Sequence, residues 1–206
     1  MNGTYARGIT ALVLFGALAT SGCPRLIGEE EHRRKEAMAK HTTMAEIHWA
    51  AGNYEGAADE YRALIELAPR FPDAYQGLGN ALNKLGRYEA AAAAYRTAVE
   101  LAPDDYDFRF NLGVTLARLG RYREAAQEFE RAASLRRGDA EIYVYWGSAL
   151  REGGDAEGAK AVLAQALVID PHNVLARVNL ALIWEQLDPA RAVKEWETIV
   201  RMEGVE

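Results

Sequence analysis

The sequence predicts an all-α protein, a stack of about five helix-turn-helix units built on one 34-residue period. Three observations predict it. Gly52, Gly86, Gly120 and Gly154 recur at that interval inside similar texts: AAGNYEGAADEY, KLGRYEAAAAAY, RLGRYREAAQEF and EGGDAEGAKAVL. Other positions keep the same step: Gly79, Gly113 and Gly147 between Ala45 and Ala181; Ala57, Ala91, Ala125 and Ala159; Tyr61, Tyr95, Phe129 and Leu163. Within a unit the apolar residues recur at helical spacing, and no stretch alternates with the period of two that a half-buried strand shows.

The first 23 residues are a different text. Arg7 gives a positive start, Ile9 to Ala19 form an apolar run, and Thr20-Ser21-Gly22-Cys23 ends it. The run falls short of the roughly 20 apolar residues a spanning helix needs, so residues 1–22 read as a cleaved signal segment. Cys23 is the only cysteine. Residues 24–28 read as a short tether. From there a helix is expected, with Glu29, Glu30 and Glu31 four residues before Arg33, Arg34 and Lys35. A charged docking arm is the other reading of this stretch.

The array itself is expected over 38–206, in units 38–71, 72–105, 106–139, 140–173 and 174–206. In the second unit Tyr75, Leu78, Gly79, Leu82 and Leu85 fall on one face of a first helix. Gly86 ends that helix, as glycine does just past a C-terminus. Tyr88, Ala91, Tyr95, Ala98 and Leu101 line the second helix, and Pro103 closes the unit. Pro69 and Pro171 close others, with Arg137 where a further proline would fall. The last unit is one residue short, since Ala192 and Trp196 stand where Val193 and Glu197 would keep register. The small residues at Gly79 and Ala91 let the two helices approach, and Tyr95 fills the space beside them. Tyr75, Tyr95 and Trp146 read as core. Trp184 and Trp196 either close the end of the stack on each other, the favoured reading, or leave an apolar edge.

These motifs resemble the tetratricopeptide repeat (TPR) family: an aromatic-x-x-Leu-Gly opening, a central Gly-x-Tyr-x-x-Ala turn and a closing proline. The resemblance covers residues 38–206 and implies a right-handed superhelix whose first helices line a concave groove. Arg109 and Arg177 depart from it, standing where the family carries a large aromatic, and Asp188-Pro189 alters the last turn. The N-terminal text resembles the bacterial lipoprotein lipobox, which implies cleavage before Cys23 and lipid on its thiol and amine. Thr20 stands where that motif prefers leucine. Pro24 after the cysteine implies the periplasmic face of the outer membrane, with inner-membrane anchoring the other possibility. An ordinary secretory signal is the competing reading.

Composition excludes several function classes. With 24 basic and 30 acidic residues and a net charge of −6, the chain lacks the clustered basic face of nucleic-acid binders. His32, His41, His48 and His172 form no HExxH, and a single cysteine allows no CxxC. Gly153-Gly154 has no following Lys-Ser/Thr to cradle phosphate. No catalytic residue, metal site or cofactor is expected, and the chain is read as a non-enzyme.

What the resemblance implies is a partner-binding groove. Its expected lining begins with Thr42, Glu46 and Trp49 and continues through Gln76, Asn80, Asn83, Lys84, Phe110, Asn111, Val114, Arg118, Val144, Ser148, Arg151, Val178 and Leu182. Of these, Phe110, Val114, Val144, Val178 and Leu182 are expected as an exposed apolar stripe, unless they simply pack against each other. Asn80 and Asn111 stand where co-chaperone TPR domains place clamp asparagines. Gln76, Glu141 and Tyr145 hold the places of the three clamp cations, so a carboxylate clamp is rejected. The layout resembles type IV pilus pilotins and other outer-membrane TPR lipoproteins. It implies an adaptor for a protein partner in pilus, secretin or motility assembly, or one that docks peptidoglycan enzymes.

Overall fold

The computed structural model describes residues 24–202, and every element there is a helix. In chain order they are α1 (Pro24–Ala50), α2 (Tyr54–Leu67), α3 (Pro72–Lys84), α4 (Tyr88–Leu101) and α5 (Tyr106–Arg118). Then follow α6 (Tyr122–Leu135), α7 (Ala140–Glu152), α8 (Ala156–Ile169), α9 (Val174–Leu187) and α10 (Pro189–Met202). Consecutive helices pair as five hairpins, and each hairpin packs against the next. The expected signal segment, Cys23 with its expected lipid, and the last four residues lie outside the described residues. The tether expected at 24–28 is not extended: α1 is already helical at Pro24. None of the described helices is long and apolar enough to cross a membrane.

The turn inside each of the first four hairpins is set by its glycine. Gly52, Gly86, Gly120 and Gly154 have φ between 71° and 86°, and among the described residues no other residue has positive φ. Each closes a C-terminal cap in which the next residue bonds back across the turn, as Arg87 N–H does to Leu82 O at 2.9 Å and Arg121 N–H to Leu116 O at 2.9 Å. The last hairpin dispenses with this. Asp188 alone separates α9 from α10, and Pro189 starts the new helix, which accounts for the missing residue of the fifth unit.

Helix contact within a hairpin depends on the other glycines. A Cβ built on Gly79 would sit 2.7 Å from the Tyr95 ring, one on Gly113 2.7 Å from Phe129, and one on Gly147 2.5 Å from Leu163. Tyr95, Phe129 and Leu163 are essentially fully buried. Burying such side chains is worth about 1.5–3 kcal/mol each, and only a backbone bare of side chain leaves room for them.

Arg109 and Arg177 are accommodated by chemistry that the aromatic cannot supply. Tyr75 donates its hydroxyl to Pro69 O at 3.0 Å, which fastens the unit to the loop before it. Arg109 does the same to Pro103 O at 2.7 Å, and Arg177 to Pro171 O at 3.0 Å. The guanidinium then needs an anion inside its own hairpin. Arg109 pairs with Glu128 at 3.1 Å, Arg177 with Glu195 at 3.2 Å, and His41, at the same place in the first unit, with Glu60 at 2.6 Å. Where the first helix carries tyrosine, at Tyr75 and Tyr143, the facing positions hold Ala94 and Val162.

Gly113→Leu is expected to cost about 1–3 kcal/mol by overpacking with no change in backbone strain. Gly120→Ala, with open space around its Cβ, is expected to cost about 1–2 kcal/mol through the left-handed backbone alone. Urea midpoints of the two variants check this. Arg109→Ala should lose about 3 kcal/mol by stranding Glu128. The double change Arg109→Tyr with Glu128→Ala, which copies Tyr75 and Ala94, should recover most of that loss in the same measurement.

Candidate functional site

The first helices α1, α3, α5, α7 and α9 carry the expected groove residues, and neighbouring first helices touch directly from α5 to α7 and from α7 to α9. The residues divide into three groups by what their side chains already do.

The first group is committed to the fold. Tyr95 hydroxyl donates to Asn80 Oδ1 at 2.6 Å, and Asn83 Nδ2 donates to Tyr95 Oη at 3.3 Å and to Thr115 Oγ1 at 2.8 Å. Thr115, fully buried, donates on to Asn111 O at 2.8 Å. This chain of bonds runs from α4 through α3 into α5 and ties the second unit to the third. Burial pushes the Tyr95 phenol up, and its bond from Asn83 and the charge of Arg118 oppose that. Asn80 and Asn83 are thus engaged within the protein. Val144 is corrected as well: it is buried in a cluster with Leu163, Ala166 and Leu180, because α7 turns it toward α8 and α9. It is no part of an exposed stripe.

The second group is held at the margin. Arg118 lies over the Tyr88 ring at 5.7 Å. Arg151 donates to Asn179 Oδ1 at 3.2 Å and to Glu152 at 2.6 Å. Thr42 bonds its own helix at Met38 O, Trp49 packs edge-on to Tyr54 at 5.1 Å, and Glu46 is exposed.

The third group presents itself. Phe110 and Tyr145 meet edge to face at 5.0 Å across the α5–α7 contact, Tyr106 stacks on Phe110 at 5.6 Å, and Phe129 supports both from beneath. Tyr145 is 38% exposed, and Phe110 and Val114 are half-buried. Gln76, Asn111 and Ser148 are half-buried and their side chains have no hydrogen-bond partner among the described residues, while Lys84 is exposed. Val178 and Leu182, also half-buried, extend the apolar surface along α9. Burial pushes the Tyr106 phenol up to about 12, with Asp139 adding to it and Arg136, 4.0 Å above the ring, working against it. Tyr106 is therefore neutral over the ordinary pH range.

Two features were missed in the sequence. Tyr145 stands in the sequence at the place of a clamp cation, and its offset of 35 residues from Phe110 puts it on the neighbouring first helix. On the second-helix side, a recess of 660 Å³ opens between the third and fourth units, lined by Tyr122, Ala126, Trp146, Gly153, Gly158 and Ala161 among others. It exists because Gly153 and Ala161 stand where the preceding unit carries Leu119 and Gln127. Trp146, expected as core, is half-buried and lines this recess. At the end of the stack, Trp184 and Trp196 do not close on each other. Trp184 sits between Lys160 at 4.6 Å and Arg191 at 4.8 Å, and Trp196 donates to Glu185 at 3.1 Å. No cluster of metal-ligating side chains is formed among the described residues.

Stacked hairpins of two antiparallel helices, the first four turning on a left-handed glycine, define a helical-repeat solenoid. The tetratricopeptide repeat model matches residues 42–106 and 78–140; these residues are tetratricopeptide repeats, and the helix pairs that follow continue the same architecture. The MamA protein structure aligns with a TM-score of 0.78 at 19% identity, covering 82% of this chain and 93% of that one. MamA 41-end from Desulfovibrio magneticus RS-1 gives 0.77 at 18%, covering 82% and 97%. YrrB, described as a TPR protein with an unusual peptide-binding site, gives 0.74 at 21%, covering 86% and 92%. No curated protein matches the sequence.

Asn83→Ala is expected to cost about 1–3 kcal/mol, because Tyr95 and Thr115 lose a buried donor. Thermal unfolding reads this without any ligand present.

Proposed function

We propose that this protein is an interaction scaffold that holds a peptide segment or partner helix along its first-helix face, centred on Phe110 and Tyr145. The observation that carries this is the aromatic pair, Tyr145 exposed and Phe110 half-buried against it, flanked by Asn111 and Ser148, whose amide and hydroxyl are unspent. Aromatic rings give large contact area at low entropy cost, and amides both donate to and accept from a peptide backbone. The fold's use as a protein-binding module, and the peptide-binding site of YrrB, support the reading.

The scaffold works, on this proposal, from a membrane surface. Cys23 carries the lipid, α1 leads from the anchor into the stack, and the groove faces the periplasm from the outer membrane. The lipobox-like text Thr20-Ser21-Gly22-Cys23 supports it. Several acyl chains on one residue meet the need for more than one lipid signal in stable anchoring. Assembly of an envelope complex such as a type IV pilus or secretin is the role proposed.

Mild crosslinking in the native cell, followed by recovery of the protein, tests both steps. Tyr145→Ser with Asn111→Ala should lower partner recovery about tenfold while the helical circular dichroism stays unchanged. Undiminished recovery would place the partner elsewhere. Pilus or secretin proteins support the assembly role, and cell-wall hydrolases would replace it with that of an enzyme-docking adaptor. Cys23→Ser should release the protein from membranes, and persistence in the membrane fraction would remove the lipid anchor.

A further inference from the structure

Three of the four joints between units are bridged on the second-helix side by a cation. At the first, Arg87 just ahead of α4 pairs with Glu55 of α2 at 2.9 Å. At the second, Arg96 of α4 pairs with Glu124 of α6 at 3.5 Å. At the fourth, Lys160 of α8 and Arg191 of α10 reach the Trp184 ring at 4.6 and 4.8 Å. The third joint differs. Among the described residues no ion pair or cation–ring contact links α6 to α8, and Arg136 and Asp139 pair only in the loop between units, at 3.9 Å. The recess of 660 Å³ opens at this joint.

The period shows which side chains are missing from it. One period on from Arg96 and Glu124 stand Glu130 and Gly158, so an anion replaces the cation and nothing faces it. The fourth joint has Lys160 and, with the slip of the last unit, Arg191 where the third has Ala126 and Gly158. Leu119 and Gln127 likewise shrink to Gly153 and Ala161, while Leu112 grows to Trp146. Ala126, Glu130, Trp146, Gly153, Gly158 and Ala161 all line the recess.

The charges around it are unequal. At the turn end, Arg123 and Asp155 stand where Glu55 and Arg87 pair at the first joint, with the signs exchanged. That end carries one charge of each sign. Glu130 lies two turns along α6, about 10 Å away, and is exposed with no ion pair among the described residues. It also borders a second hollow with Arg109 and Arg131. Arg109 is held there by Glu128, and Arg131 does not line the recess.

We infer that the recess receives a lysine or arginine side chain from a protein partner, in the place of the cation that the third joint lacks. The stem fills the space left by Gly153, Gly158 and Ala161. Its head group pairs with Glu130, and the aromatic surface of Trp146 adds cation–π attraction. An acidic side chain would face Glu130 and Asp155 against Arg123 alone, and an apolar one would leave Glu130 without a counter-charge. This surface belongs to the second helices, so it is separate from the first-helix groove.

A photo-crosslinking amino acid at Gln127, which lines the recess, tests this in the full chain in native cells. The crosslinked segment is sequenced, made as a synthetic peptide and titrated against the purified full chain. The segment should carry lysine or arginine at the crosslink, and binding should weaken with added salt. Glu130→Gln should weaken it about fivefold, and Glu130→Arg about tenfold or more. A peptide with that basic residue changed to glutamate should lose wild-type binding and regain it with Glu130→Arg. Gly153→Leu should close the recess and abolish binding with unchanged circular dichroism, since Leu119 already occupies that place in the same backbone conformation. No crosslinked segment, a segment without a basic residue, or binding that Glu130→Arg leaves intact each overturns the inference. Tyr145→Ser with Asn111→Ala should leave this titration unchanged, so the recess and the groove fail independently.

Discussion

The structure rests on how closely two helix backbones can approach inside one hairpin. Gly79, Gly113 and Gly147 face Tyr95, Phe129 and Leu163 at distances that leave no room for a methyl group. In the first and last hairpins the same place is taken by Ala45 and Ala181, both fully buried. A large apolar side chain seated against bare backbone fixes separation and register together, as ridges do in grooves. Interiors packed to this density have few ways to relax. Each hairpin therefore behaves as a stiff unit, and stability accumulates from the units and the joints between them.

Polar groups enter this apolar frame with partners for most of their atoms, Asn83 Oδ1 and Arg177 Nε being buried without one among the described residues. The guanidinium groups of Arg109 and Arg177 replace a tyrosine because Glu128 and Glu195 replace a small or apolar residue opposite, and a proline carbonyl accepts from each. The amide of Asn83 lies half-buried between two units because Tyr95 and Thr115 both accept from it. These contacts confer alignment more than strength, since a half-buried ion pair gives back in desolvation much of what it gains. Between units, sliding would break the bonds of Arg109 and Arg177 to the proline carbonyls and strand the Asn83 amide. The aromatic pair Phe110 and Tyr145 is consequently held in one geometry, which lowers the ordering cost of binding.

The fold was legible in the sequence because a repeat prints its own alignment. Turn glycines, close-approach glycines and the facing rings all recur at one period, and each copy checks the others. What stayed hidden concerned directions within a helix. A valine at 144 and a valine at 178 share a register position. Yet Val144 is buried in a cluster that reaches α9, whereas Val178 belongs to the last unit and is only half-buried. The expected closure of Trp184 on Trp196 does not form, because cation contacts from Lys160 and Arg191 to Trp184 leave no mark in apolar periodicity. The recess beside Trp146 arises from side chains that are missing, Gly153 and Ala161, and is visible only when neighbouring units are compared. Asn80 and Asn83 looked available because a residue list does not show that Tyr95 and Thr115 already hold them.

A solenoid stiff within its hairpins and specific at its joints suits a scaffold, which must present a partner surface without rearranging. The measurement that tests this account most directly is a double-mutant cycle between positions 113 and 129, read by urea unfolding. Gly113→Ala should destabilise by crowding the ring, and Phe129→Leu should destabilise by leaving a cavity. The double variant, which pairs a small residue with leucine, should be at least about 1 kcal/mol more stable than the separate losses imply. Additivity within about 0.5 kcal/mol would show that the two residues do not limit each other, and that close approach at glycine is not what sets the hairpin.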